Sequence, residues 1–272
     1  MNNSQGMLGK VVRPPAVAGF FYPQDPEELR NSVRGYLAMA PAVDGPAPKA
    51  LIAPHAGYIY SGLTAAFAYA SLTPRLASIT RVILLGPAHR VYVKGLALSA
   101  ASHFSTPLGL IEIDQTAVAS LKTLPQVIIS DAAHQQEHSL EVHLPFLQCL
   151  LPKFTLVPLV VGEAAPLEVA EVLELLWGGP ETLIVISSDL SHYHDYSTAR
   201  QIDSATTRAI ENLQLEIIGP HQACGCMPVR GLLQVARTRR LRVKTLDMRN
   251  SGDTAGTRDR VVGYGAYAIM EN

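Results

Sequence analysis

The chain has 272 residues, of which 48% are hydrophobic and 17% charged, against about 25% charged in typical globular domains. That balance supplies a large interior and excludes wholesale disorder, while 20 Gly and 19 Pro spread along the chain exclude collagen-like and low-complexity structure. Lys plus Arg is 22 and Asp plus Glu 23, a net charge of −1, which leaves no electrostatic case for a nucleic-acid or anionic-membrane surface. Three cysteines (Cys149, Cys224 and Cys226) are too few and odd in number for a disulfide framework, so reduced thiols and a cytoplasmic setting are expected. The opening MNNSQGMLGK lacks the apolar centre of a signal peptide, and no run reaches the ~18 apolar residues of a membrane span. Nine histidines stand out against this low charge.

Along the chain, short β-branched runs alternate with amphipathic stretches. A helix over Pro26–Met39 opens well: Asp25 caps it, Pro26 suits its first position, and Glu27 and Glu28 favour the positive end of its dipole. APAVDGPAP, residues 40–48, reads as a loop before a buried strand at Ala50–Ala53 and a helix at Gly62–Ser71. Further strands are predicted at Arg81–Leu85, Leu108–Ile113, Gln126–Ile129, Leu156–Val161, Leu183–Ser187, Val243–Asp247 and Val261–Met270. The matching helices are Gln115–Leu121, Ser139–Leu150, Pro166–Leu176, Ser197–Leu213 and Val229–Thr238. Four to six apolar residues bounded by Gly, Pro or polar residues describe strands buried on both faces. The alternation predicts an α/β fold, with helices on both sides of a mixed, mostly parallel sheet. No internal repeat or domain boundary is visible, so one domain is expected over 1–272, with a core of about 13–270 and a flexible segment over 1–12.

Three of the strongest strands run into polar residues. LIAP leads to His55, VILLGPA to His89, and LIVISS to Asp189 with His192 three residues on. Ligands of open α/β sheets bind at the carboxyl ends of strands, so side chains placed there on different strands can converge on one point. A loop histidine bonded only to backbone is the bland reading of each, and the repeated placement favours a site. In EHSLEVHLPFL (Glu137–Leu147), Ser139 is expected to cap a helix with Leu140, Leu144 and Leu147 on its apolar stripe. His138 then stands at the helix mouth, with Glu137, Glu141 and His143 as sources of a carboxylate or a supporting partner. In HQACGCMP, Cys224 precedes a Gly and a helix, where a thiolate is favoured, while Cys149 fits a small buried hydrophobe. GYG at Gly263–Gly265 reads as close backbone packing, and His103 and His134 as ordinary loop residues. Walker A, G-x-G-x-x-G, G-x-S-x-G and H-E-x-x-H signatures are absent, so nucleotide binding and serine hydrolysis lack support.

RPPAVAGFFYP (Arg13–Pro23), APHAGYIYSG ending at Gly62, LGPAH (Leu85–His89), EHSLEVHLPFL, SSDLSH (Ser187–His192) and CG-x-x-P at Cys224 follow one another in this order. Together they resemble the Memo family (mediator of cell motility), whose bacterial and archaeal members are called AmmeMemoRadiSam system protein B. The resemblance runs from about Arg13 to Met270 and implies a three-layer αβα domain related to class III extradiol dioxygenases, non-haem iron enzymes that open catechol rings. It implies metal ligands His55, His89 and Cys224, with Tyr60, Asp189 and His192 lining the pocket and His138 close by. Two His and one thiolate would replace the two His and one carboxylate of the ring-opening enzymes, and that softer set suits Fe(II), Cu or Zn. The sequence departs from the family pattern at Cys226-Met227, at Thr257, and at the Phe20-Phe21 pair where Trp is frequent. Cys226 adds a second thiol near the expected metal.

Three readings follow. The first is a metal-dependent redox enzyme in which Fe(II) on His55, His89 and Cys224 serves a small substrate, His192 or His138 acts as acid–base, and Asp189 orients. The second is a Zn-dependent hydrolase with the same ligands activating a water. The third is a non-catalytic module for a peptide or phosphopeptide, with Arg90 and Lys94 beside the GPAH loop as its cations. The family name also implies pathway partners, among them a radical-SAM protein.

Overall fold

The computed structural model describes residues 10–41 and 46–271. In chain order its elements are β1 (Val12–Arg13), α1 (Pro26–Met39), β2 (Ala50–Ala53), α2 (Tyr58–Ala70), β3 (Arg81–Pro87), β4 (Leu96–Leu98), β5 (His103–Thr106) and β6 (Gly109–Ile113). These are followed by α3 (Gln115–Leu121), β7 (Val127–Ile129), α4 (Asp131–Gln135), α5 (Leu144–Leu150), β8 (Thr155–Val161), α6 (Pro166–Leu175) and β9 (Thr182–Ser187). The chain closes with β10 (His192–His194), α7 (Tyr196–Glu211), α8 (Cys226–Arg239), β11 (Arg242–Asn250) and β12 (Val261–Met270).

The fold is α/β, as expected. Among the described residues the strands form one mixed sheet whose centre, β6-β8-β3-β9-β2, is wholly parallel. The antiparallel β12 continues it, followed by β10 along one path and paired also with β11. The central strands are apolar throughout because helices cover both faces: β2 and β9 are buried at every position, β3 and β8 at all but their first. Helices α1, α2 and α5 pack together on one face, with α2 against β2, β11 and β12. On the other, α8 lies against α6, β3 and β9, and α7 against β11 and β12.

The α1 cap is as expected, Asp25 accepting from the backbone of Glu27 and Glu28. Helix α2 begins four residues before its expected start. Gly57 caps it with no side-chain bond, so the Ser, Thr or Asp that usually marks a helix start is missing. Gly62 lies inside this helix because a Cβ there would stand 2.8 Å from the Tyr36 ring of α1. The expected helix Ser139–Leu150 is shorter: Glu141–His143 is a 3-10 turn and α5 starts at Leu144. Ser139 does not cap it; its hydroxyl donates to the Pro87 carbonyl at 2.9 Å. Strands β1, β4, β5 and β10 have two to four residues, too few to show a period.

Residues 1–9 of the segment expected to be flexible, and 42–45 of the expected loop, lie outside the described residues. Within the former, Val11 and Val12 are tied down: Ser102 and His103 donate their N–H to the Val11 carbonyl, and Val12 pairs with His103. His103 is thus in a strand. His134 is a buried α4 residue whose Nε2 donates to the Ala97 carbonyl at 2.9 Å, rather than a loop residue. No helix among the described residues is long and apolar enough to cross a membrane.

Candidate metal centre

The parallel pairing of β2 with β9 and of β9 with β3 sets three carboxyl ends side by side. Ala53 is in register with Ser187, and the chain leaves these strands toward His55, Asp189 and His89. Two further segments close over this edge. The Glu137–Ser139 loop sits on the end of β3, where Gly86 leaves room for Ser139: a Cβ on Gly86 would lie 2.8 Å from the Ser139 hydroxyl. The turn before α8 sits on the end of β9. Gly225 approaches so closely that a Cβ would lie 2.4 Å from the Ser187 carbonyl, and its N–H donates to the Ser188 hydroxyl at 3.0 Å. Cys224 is fixed by the same contact, its N–H donating to the Asp189 carbonyl at 3.2 Å and its sulfur accepting from the Asp189 N–H at 3.3 Å.

Hydrogen bonds decide which nitrogen each imidazole offers. The Ser187 hydroxyl donates its one proton to the Ser139 carbonyl at 2.6 Å. It must therefore accept from His55 Nδ1, 2.6 Å away, leaving Nε2 of His55 with a free lone pair 3.3 Å from Cys224 Sγ. His89 Nδ1 lies 2.9 Å from Glu137 Oε1, which orients the ring and turns Nε2 outward. Glu137 also accepts the N–H groups of His89 at 2.6 Å, His138 at 2.9 Å and Ser139 at 2.9 Å. Burial opposes its ionisation, but these donors, led by the His89 ring, hold its carboxyl down to about 2. His138 stacks on His89 with ring centroids 4.8 Å apart and packs on Phe21 at 4.7 Å. Its Nδ1 is buried without a hydrogen-bond partner among the described residues, 3.4 Å from Glu137 Oε1. Burial, reinforced by the neighbouring histidines, keeps His55 neutral well below the ordinary histidine range, and burial lowers His138 to about 4. Neutral imidazoles are the form that ligates metals.

Among the described residues, two sets of three donor atoms lie within 4.8 Å of one another: His55, His89 and His138, and His55, Asp189 and Cys224. The expected ligands are thus divided between them, with His55 common to both. Asp189 is buried and accepts the His55 N–H at 2.8 Å, so it supports His55 and the Cys224 turn directly. Burial raises its carboxyl, and burial with the Asp189 charge pushes the Cys224 thiol up. The helix start does not by itself make Cys224 a thiolate, in contrast to the sequence expectation.

His192, on β10, donates Nδ1–H to the Leu190 carbonyl at 2.8 Å, leaving Nε2 free. Tyr60 is half-buried in the first turn of α2 and makes no side-chain hydrogen bond among the described residues. Of the other polar residues expected in the 137–147 segment, Glu141 bonds the Arg13 guanidinium, the Ala16 and Val17 N–H groups and the Tyr22 hydroxyl, while His143 pairs with Tyr69. Neither belongs to these donor sets. Cys226 packs its thiol into the apolar core and belongs to neither donor set. Phe20 is 89% exposed, so Phe21 alone of that pair walls the site. Ser187 escaped sequence reading: a serine ending an apolar strand carries no signal until its two partners are seen. Glu137 was visible only as one of several nearby acids.

The fold and site define an α/β protein with a His, Asp and Cys donor cluster at the carboxyl edge of a parallel sheet. The chain belongs to the Memo-like protein family, whose family model matches residues 13–268. A MEMO1 family protein of Aquifex aeolicus is 37% identical over 265 residues, covering 93% of this chain and 97% of that one. One of Archaeoglobus fulgidus is 37% identical over 268 residues with the same coverage, and one of Ignicoccus hospitalis 34% over 281 residues, covering 94% and 98%. A solved structure of an uncharacterized protein from Escherichia coli K12 is a remote likeness, at 13% identity and TM-score 0.45 over 79% of this chain and 98% of that one.

Proposed function

We propose that the protein is a metal-dependent redox enzyme that holds Fe(II) through His55, His89 and Cys224, with Asp189 and His138 adjoining. The observation that carries this reading is the pair of supports, Ser187 behind His55 and Glu137 behind His89, that fix each Nδ1 and free each Nε2. Metal-ligating histidines are oriented in this manner, by a carboxylate or hydrogen-bond partner on the other nitrogen. The donors fit an ion. The 3.3 Å between His55 Nε2 and Cys224 Sγ suits two ligands with bonds of ~2.0–2.3 Å. His138 Nδ1, buried and without a hydrogen-bond partner among the described residues, brings a third imidazole beside His55 and His89.

Bound iron supplies Lewis acidity and electron transfer for oxygen chemistry on a small substrate. The chain itself supplies position and proton handling. Glu137 and Ser187 hold the imidazoles in the ligating tautomer. Cys224 gives up its thiol proton on loading, because its burial keeps that proton on in the metal-free chain. His192, its Nδ1 anchored on Leu190, presents Nε2 to take or give a proton, and Phe21 covers His138 against water.

The test is anaerobic purification, reconstitution with Fe(II), Zn or Cu, elemental analysis, and oxygen uptake with catechols and related aromatics. The proposal predicts one iron per chain and oxygen uptake lost in His55→Ala. Zn retention with hydrolysis of small esters or amides and no oxygen dependence would replace it with the hydrolase reading. Phosphopeptide affinity that survives metal removal would favour the binding module.

A further inference from the structure

The RPPAVAGFFYP segment touches the metal centre at two points. The Phe21 ring packs on His138 at 4.7 Å, and the Phe21 carbonyl accepts the N–H of Tyr58, at the start of α2, at 2.8 Å. Its first residue reaches deeper. Arg13 ends β1, is 6% exposed and stands in register with Phe104 of β5, over whose ring its guanidinium lies 5.4 Å from the centroid.

That guanidinium spans the turn that carries Glu137. Nε and Nη2 donate to the His134 carbonyl at 3.1 and 2.9 Å, and Nη2 also to the Glu137 carbonyl at 2.6 Å. Both carbonyls lie where α4 runs out and helical partners are missing. Nη1 bonds the Glu141 carboxylate, which also accepts the N–H groups of Ala16 at 2.7 Å and Val17 at 3.0 Å and the Tyr22 hydroxyl at 2.6 Å. The peptide joining Glu137 to His138 is therefore held at both ends. Arg13 takes its oxygen, and the Glu137 carboxylate itself takes its N–H at 2.9 Å. That same carboxylate oxygen lies 2.9 Å from His89 Nδ1. If the peptide turns, the carboxylate is drawn off the His89 ring.

We infer that Arg13 is a positioning residue for the His89 ligand: by fixing the 137–138 peptide it keeps the Glu137 carboxylate against the imidazole. The inference rests on the metal reading of the site, and it extends the support of His89 to a residue that touches neither the ring nor an ion. Only a planar fork bridges two carbonyls and a carboxylate, so lysine, with one ammonium, cannot replace it.

The test compares wild type, Arg13→Lys and Tyr22→Phe in the full-length chain. Tyr22→Phe loosens Glu141 but leaves the fork on the 137–138 peptide, so it controls for stability lost in the same segment. Co(II) affinity by chelator competition is expected to fall about tenfold in Arg13→Lys and to stay within twofold in Tyr22→Phe. In a Glu137→Gln background Arg13→Lys is expected to cost little further affinity, because it acts through that carboxylate. Nitrogen-15 spectra of the His89 ring in metal-free protein are expected to show the Nδ1–H tautomer alone in wild type and Tyr22→Phe, and a mixture in Arg13→Lys. Absence of Co(II) binding by wild type overturns the metal reading, while the ring spectra still decide the role of Arg13. An unchanged tautomer in Arg13→Lys, or an affinity loss that is undiminished in the Glu137→Gln background, overturns the inference. So does failure of both Arg13→Lys and Arg13→Gln to fold, which makes Arg13 a residue of the fold alone.

Discussion

Glu137→Gln is the perturbation from which most follows. The Glu137 carboxylate accepts three backbone N–H groups and the His89 ring, and the side chain is 1% exposed. An ordinary value of 4.5 held down to about 2 corresponds to about 3 kcal/mol of preference for the charged, folded form. The sign is that of a depressed acid: the stabilisation is fully present above pH 4.5 and is lost as pH falls toward 2. Glutamine keeps the shape but turns an NH2 group toward donors, so urea unfolding at pH 7 is expected to show a loss approaching ~3 kcal/mol. The variant's stability is also expected to vary less than that of wild type between pH 4.5 and 2. In the same variant His89 loses its orienting charge, and metal affinity measured by chelator competition is expected to fall about 10–100-fold. Wild-type stability together with affinity within twofold of wild type would refute the assignment of Glu137 as the support of His89.

Ser187→Ala removes the acceptor that fixes His55, and an approximately tenfold loss of metal affinity is expected by the same competition, with the fold retained by circular dichroism. Cys224→Ser is expected to release one proton fewer per metal bound than wild type, measured by calorimetry in buffers of different ionisation enthalpy. Cys226→Ala, by contrast, is expected to leave metal binding unchanged and to lower stability modestly, because that thiol only fills the core. Gly263→Ala places a methyl 2.0 Å from Asp203 Oδ2, and a loss of about 1–3 kcal/mol or more in denaturant unfolding is expected.

The central sheet and its helices are legible in the sequence because strands buried on both faces must be continuously apolar, as ALIA, RVILLGP and TLIVIS show. The convergence of His55, His89 and Asp189 is legible for the same reason, since each follows such a run. Strand order is what makes them neighbours, and that depends on long-range pairing which no local pattern encodes. The EHSLEVH segment shows the limit most clearly. Its apolar spacing suits a helix, yet Ser139 spends its hydroxyl on Pro87 and Glu137 folds back on three N–H groups, so the helix begins only at Leu144. Tertiary hydrogen bonds there outweigh local propensity.

The most direct test of the metal centre is a crystal structure of anaerobically reconstituted protein, with anomalous scattering collected across the iron edge. The account predicts a single peak within ~2.0–2.3 Å of His55 Nε2, His89 Nε2 and Cys224 Sγ, matching one iron per chain in solution. Ordered His55, His89 and Cys224 side chains with no anomalous peak between them, in protein that stays metal-free after reconstitution, would contradict it.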